Sequence, residues 1–294
     1  MRAAPDAPLV LAMLALVFGA IAMGISPVFV RFADVGPLTS AFWRVFLALP
    51  VLWLWARMEP RPPTTGLWSG WGGGILIAGL AFAGDLIFWH LSIMKTAVAN
   101  ATFLATLAPI WVALGSGLFI GERITRSTLF GLAVCLVGAT VLVGTSYSMV
   151  PGRLEGDLFG LVTSLFFGIY FLAVRVARRS APSGVVMFRS TVYTALALGV
   201  VALALEDRFL PQTLAGIAAI LALAIVTHVG GQGLLAFALG HLSAAFSSLV
   251  IFLEAVAAAA FGWIFLQEPL TLPQIAGGLA ILAGIWVARP RGGG

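Results

Sequence analysis

Six ionisable residues stand inside long apolar runs of this chain: Arg44, Asp85, His90, Arg189, His228 and Glu254. A charge near the centre of a bilayer costs roughly 2.5–3.5 kcal/mol on insertion scales, so each needs a use or a partner. Arg44 and Arg189 each have two readings. Either the guanidinium captures a substrate carboxylate, or it is structural, bonded to carbonyls or reaching outward along its stem. Asp85 and Glu254 could bind a proton or a substrate ammonium, and could equally be satisfied carboxylates within a bundle. Asp85 and His90 are five positions apart, about 500° round a helix, so they do not share a face closely. His228 and Gln232 are four apart and do.

A softer set surrounds these charges. Asn100, Thr102 and Thr106 in one run, and Ser247 and Ser248 in another, occupy matching places in two copies of a repeat described below. Polar groups at equivalent positions are expected of a pseudo-symmetric substrate site. Met23, Phe82, Phe103 and Tyr170, with Phe18, Trp89 and Phe166, could line an apolar cavity for large side chains; any one of them could also face lipid or core. No catalytic set emerges. There is no Gly-rich phosphate loop with its Lys, no His/Cys metal spacing, and the three His are isolated from one another. An enzyme is not expected, and neither a cofactor nor a metal is implied.

What must position these side chains is a membrane-embedded bundle. With 61% hydrophobic and 9% charged residues and a mean hydropathy of +1.08, the chain lies far from soluble globular composition. Apolar runs long enough to cross a hydrocarbon core of about 30 Å occur near 9–30, 38–56, 71–93, 97–120, 129–144, 158–176, 185–205, 214–239, 244–266 and 275–287. Short breaks with turn chemistry separate them. Trp53, Trp55, Trp68, Trp71, Trp263 and Trp286 fall near run ends, as an interfacial belt requires. The first run resembles a signal peptide in its Arg2 and Ala20-Ile21-Ala22, but it is too long for a signal core and is expected to span. The net charge of +5 comes from Arg scattered over short loops, so it speaks of topology and not of nucleic acid. Cys135 is alone and reads as a small core residue.

The text of residues 121–143, GERITRSTLFGLAVCLVGATVLV, nearly returns at 267–288, QEPLTLPQIAGGLAILAGIWVA. Glu122 meets Glu268, Thr125 meets Thr271, Gly131 meets Gly277 and Gly138 meets Gly284, each 146 positions on. Arg44 pairs with Arg189 at 145; Gly24 and Arg31 pair with Gly168 and Arg175 at 144. The chain is therefore two units, 1–147 and 148–294. Five spans per unit is odd, so the second unit enters the membrane with the opposite sense. The fold expected is an all-α integral membrane protein of ten transmembrane helices in two inverted five-helix repeats. Lys and Arg number ten in loops on one side and four on the other, which puts both termini in the cytoplasm. Glu122 and Glu268 sit at loop ends, where a carboxylate near the N-terminus of the following helix is favoured, and read as structural caps. Gly117 and Gly121, like Gly131/Gly138 and Gly277/Gly284, suit close helix packing.

The stretches LAPIWVALGSGLFIGERIT and FLEAVAAAAFGWIFLQEPLT, each followed by a Gly-rich helix, resemble the EamA family of the drug/metabolite transporter superfamily. Within it the chain looks most like the YddG-type exporters of aromatic and other amino acids. The resemblance implies ten helices, a central cavity shared by the halves and export of small metabolites. One departure is that Ala255 follows Glu254 where the family often has Leu-Glu-Pro, so the kink that Pro109 brings to the first half is not assured in the second. The expected function is a secondary transporter that exports amino acids across the bacterial inner membrane by rocking the inverted halves. Its partners are then the amino-acid substrate and the lipid bilayer, and a monomer suffices. The alternative is a multidrug or cationic-metabolite exporter; a nucleotide-sugar carrier would need more cavity Lys or Arg than Arg44 and Arg189.

Overall fold

In a computed structural model the chain is described over residues 7–60, 72–96, 98–144, 153–267 and 270–290. Every regular element there is helical. Among the described residues, nine helices are long and apolar enough to cross a membrane: α1 (Pro8–Phe32), α2 (Pro37–Met58), α3 (Gly73–Lys95), α4 (Asn100–Phe119), α5 (Arg126–Gly144), α6 (Leu154–Arg178), α7 (Ser183–Leu205), α8 (Leu214–Ala238) and α9 (Ala244–Phe265). A tenth, α10 (Leu272–Ala288), is apolar and slightly shorter. Large apolar side chains lie on the outside, with Leu118 81% and Leu214 87% exposed, a surface that only lipid tolerates. Because the described spans number ten, an even count, α1 begins and α10 ends at the same end of the bundle, called here the terminal end; the other is the far end. At the terminal end Arg57 stacks on Trp53 at 4.2 Å and Arg289 on Trp286 at 3.3 Å, as cations do in an interfacial belt. Trp68 and Trp71 lie outside the described residues.

The two halves make the same contacts in mirror roles. A Cβ added to Gly24 in α1 would lie 2.7 Å from Ala257 Cβ and 2.9 Å from the Glu254 carbonyl in α9. One added to Gly168 in α6 would lie 2.7 Å from Trp111 Cβ and 3.4 Å from the Ala108 carbonyl in α4. All six residues are duplicated positions, so α1 on α9 is α6 on α4 turned over. Likewise α5 runs along α10 with Gly131 against the Gly284 carbonyl (2.6 Å for an added Cβ) and Gly138 against that of Gly277 (2.7 Å). Close backbone approach of this kind needs residues without side chains. Gly117 and Gly121 differ from expectation: nothing lies within 4 Å of a Cβ on either, and Gly121 instead adopts φ +69° to turn the chain out of α4.

Several spans are broken within their length. α1 interrupts at Ile25, where Pro27 removes a backbone donor, and α2 interrupts before Leu49 with Pro50 in the next turn. α4 breaks between Ala105 and Ala108, before Pro109. α9 breaks between Leu249 and Phe252 although Ala255 replaces the proline. Beside each of these two breaks a hydroxyl bonds back along its own helix: Thr106 Oγ1 donates to the Phe103 carbonyl (2.7 Å) and Ser248 Oγ to that of Ala245 (2.9 Å). Tighter three-residue backbone bonds follow, Leu107 to Leu104 and Ile251 to Ser248. In α8 the residues Leu223–Gln232 form a π-helical stretch, ending at Gly230, Gly231 and Gln232.

Candidate functional site

The broken helices surround one cavity of about 700 Å³, its open mouth included. Arg44 enters it from α2, Asp85 with Phe82 and Trp89 from α3, and Glu254 from α9. Met23 and Ser26 flank the break in α1, Thr102 and Thr106 that in α4, and Gln232 closes the π-stretch of α8. Most of these residues belong to the far-end halves of their helices. Members of three duplicated pairs meet here, Met23 with Phe167, Leu86 with Gln232 and Ala105 with Ile251, so the cavity lies where the halves face each other.

Arg44 donates from Nη1 to Ser26 Oγ at 3.2 Å, and its Nε is buried without a partner. Glu254 and Asp85 line the same space as the guanidinium, yet no ion pair among the described residues joins it to either. Three opposite charges thus face one space without closing on each other. Gln232 Oε1 and Thr163 Oγ1, also on the lining, are buried and unpartnered. Such atoms are costly in a finished core and useful in a binding site.

Other expected residues go elsewhere. His90 is buried behind the lining, donating Nδ1–H to the Leu86 carbonyl at 2.6 Å. His228 does not share Gln232's place on the cavity: it lies off the lining, and its Nε2 meets Thr191 Oγ1 at 2.9 Å. Tyr170 stacks on Phe82 with centroids 4.8 Å apart and directs its hydroxyl to Met187 Sδ at 3.8 Å. Asn100 donates to Asp157 Oδ1 (3.1 Å) at the far end, tying α4 to α6. Phe103 is half-buried off the lining, and Phe18 is exposed. Ser247 and Ser248 are buried at the start of α9, with Ser248 committed to the helix break. Arg189 is buried in α7 away from the lining. Thr163, Ser26 and Phe167 were not anticipated; Ser26-Pro27, a polar residue beside a proline in an apolar run, was the available signal.

The two ends of the bundle are tied differently. At the terminal end Glu122 is the hub. Its Oε1 accepts from Arg175 Nε at 2.5 Å and its Oε2 from the Ala244 amide at 2.9 Å, with Arg179 3.8 Å away. Arg175 and Arg178 also donate to the carbonyls of Leu239 (2.7 Å) and Ala236 (2.9 Å), so α4, α6, α8 and α9 converge. Glu122 therefore caps α9 and not the helix that follows it, because Thr125 already caps α5 by accepting from the Thr128 amide. Glu268 lies outside the described residues. A second device is reciprocal: Glu59 after α2 accepts from the Gly184 amide at the start of α7, and Glu206 after α7 accepts from the amides of Leu38 and Thr39 at the start of α2. At the far end Asp34 takes the amides of Gln212 (3.0 Å) and Thr213 (2.7 Å). Burial opposes its charge, but the Thr213 hydroxyl and these amides outweigh it and hold the carboxyl below its usual range. That tie is present at neutral pH and is lost only as pH falls through the depressed value.

Comparison with known proteins matches the model of the EamA-like transporter family twice, at residues 10–144 and 154–289. The pseudopaline exporter CntI of Pseudomonas aeruginosa is 30% identical over 225 residues, 74% of this chain and 76% of the exporter. An uncharacterised transporter of Archaeoglobus fulgidus is 29% identical over 277 residues, 93% and 94% of the two chains. A solved crystal structure superposes with a TM-score of 0.80 at 17% identity, covering 97% of this chain and 98% of the other.

Proposed function

Because the chain belongs to the EamA-like transporter family, we propose that it is a secondary exporter of amino acids, the aromatic ones included, in a bacterial inner membrane. The carrying observation is Arg44 facing Asp85 and Glu254 across one cavity without an ion pair between them. A zwitterion bridges such a gap, its carboxylate on the guanidinium and its ammonium against a carboxylate. Phe82, Trp89, Phe167 and Met23 offer an apolar wall for the side chain. The relative's export of pseudopaline supports a small-metabolite substrate.

Loop charges favour cytoplasmic termini, ten Lys and Arg against four. The cavity then lies toward the outside while the Glu122 cluster seals the cytoplasmic end, which is one state of an alternating-access cycle; inverted halves supply the other by exchanging roles. Export of hydrophobic cations is the second reading, favoured by the two acids and disfavoured by Arg44 in the same space. Uptake of labelled amino acids into proteoliposomes, with and without a pH gradient, decides between them. Transport of amino acids is the expected result; transport of hydrophobic cations with none of any amino acid would overturn it.

A further inference from the structure

The charges on the cavity do not balance for an ordinary amino acid. Arg44 offers one cationic group, Asp85 and Glu254 two carboxyl groups that are anionic when ionised, and every other lining side chain is uncharged. Behind the lining, His90 and His228 are engaged with Leu86 and Thr191, and Tyr170 with Met187. With both carboxyls ionised, a monoamino acid adds one charge of each sign and leaves the loaded site at −1, which is expensive away from water. The two acids are also not copies of each other. By the 146-residue offset Asp85 corresponds to Gly231 and Glu254 to Ala108. Where Asp85 and Thr163 stand in the first pairing of α3 with α6, the second pairing of α8 with α1 has Gly231 and Gly19, packed so closely that a Cβ on Gly19 would lie 2.9 Å from the Gly231 carbonyl. Duplication alone would not have supplied two carboxylates; each occupies the cavity separately, from a different half.

The unpartnered atoms on the lining add a second, independent indication. Arg44 Nε is a donor, as a carboxylate requires, and Gln232 Oε1 is an acceptor, as an ammonium requires, with Thr163 Oγ1 able to serve either. Resting on the amino-acid assignment just made, we propose that the preferred substrates are diamino carboxylates, held by the carboxylate at Arg44 and by one ammonium each at Asp85 and Glu254. The loaded site is then neutral.

The test is exchange of labelled lysine and labelled leucine in proteoliposomes at one fixed pH, with a pH-sensitive dye inside, for the wild type, Asp85→Asn and Glu254→Gln. The expected result is lysine bound about tenfold or more tightly than leucine by the wild type, and that preference lost or reversed in either amide variant. Lysine and leucine handled equally by the wild type overturns the proposal even if neither variant can be purified. So does leucine transport accompanied by a proton, which would make the missing positive charge a proton. In both cases amino-acid export itself stands; it fails, and this proposal with it, only if neither compound nor any other amino acid is exchanged.

Discussion

Arg44 Nη1 is held by Ser26 at the break in α1 while Nε faces the cavity unpaired, so the guanidinium is aimed and not consumed. Lysine would keep the charge but lose the planar fork that matches a carboxylate. Arg44→Lys should therefore retain the fold and lose about tenfold or more in substrate affinity, measured by competition in proteoliposomes; unchanged affinity would leave Arg44 a structural residue. Sequence reasoning reached Arg44, Asp85 and Glu254 because an ionisable group within an apolar run is conspicuous. It could not separate His90 and His228 from them, since whether a buried polar group meets a ligand or a carbonyl depends on a few tens of degrees of helix rotation. Thr163 was missed for the opposite reason: a single hydroxyl among apolar residues is too common to stand out.

At the scale of helices, the breaks in α4 and α9 fall at nearly the same point of the repeat although only α4 has the proline. Pro109 was legible and the Ser248 back-bond was not, because a mid-span serine more often bonds its own helix without breaking it. The π-stretch in α8 was equally hidden. Glu122 was read as a cap for its own following helix, whereas it joins Arg175, 53 positions on, to the start of α9, 122 positions on. Long-range partners of this kind leave no local pattern. The expected consequence is that Glu122→Gln loosens the terminal end. In a Cys135→Ala background, a cysteine placed at buried Ser248 should react with a membrane-impermeant thiol reagent from that side much faster when Glu122 is Gln. Equal labelling would show that the cluster does not seal the end.

For the molecule as a whole, duplication and inverted topology were readable because four positions coincide at one offset and an odd number of spans separates them. Which glycines pack was readable only in part. Gly131, Gly138, Gly277 and Gly284 meet across α5 and α10, while Gly121 serves a turn and Gly117 meets nothing. Their spacing is compatible with both uses, and only the partner surface decides. Gly138→Ala and Gly284→Ala should destabilise the protein to a similar extent, about 1–3 kcal/mol each, as melting in detergent would report. Strongly unequal losses would mean that the two sides of this seam are not equivalent.

That seam has a consequence for how the halves meet. Gly131 lies against Gly284, the duplicate of Gly138, and Gly138 lies against Gly277, the duplicate of Gly131, so the surface is complementary to an upside-down copy of itself. The reciprocal caps of Glu59 and Glu206 have the same character. A half-length unit carrying this surface holds in one sequence both sides of the contact that a twin inserted the other way round would need.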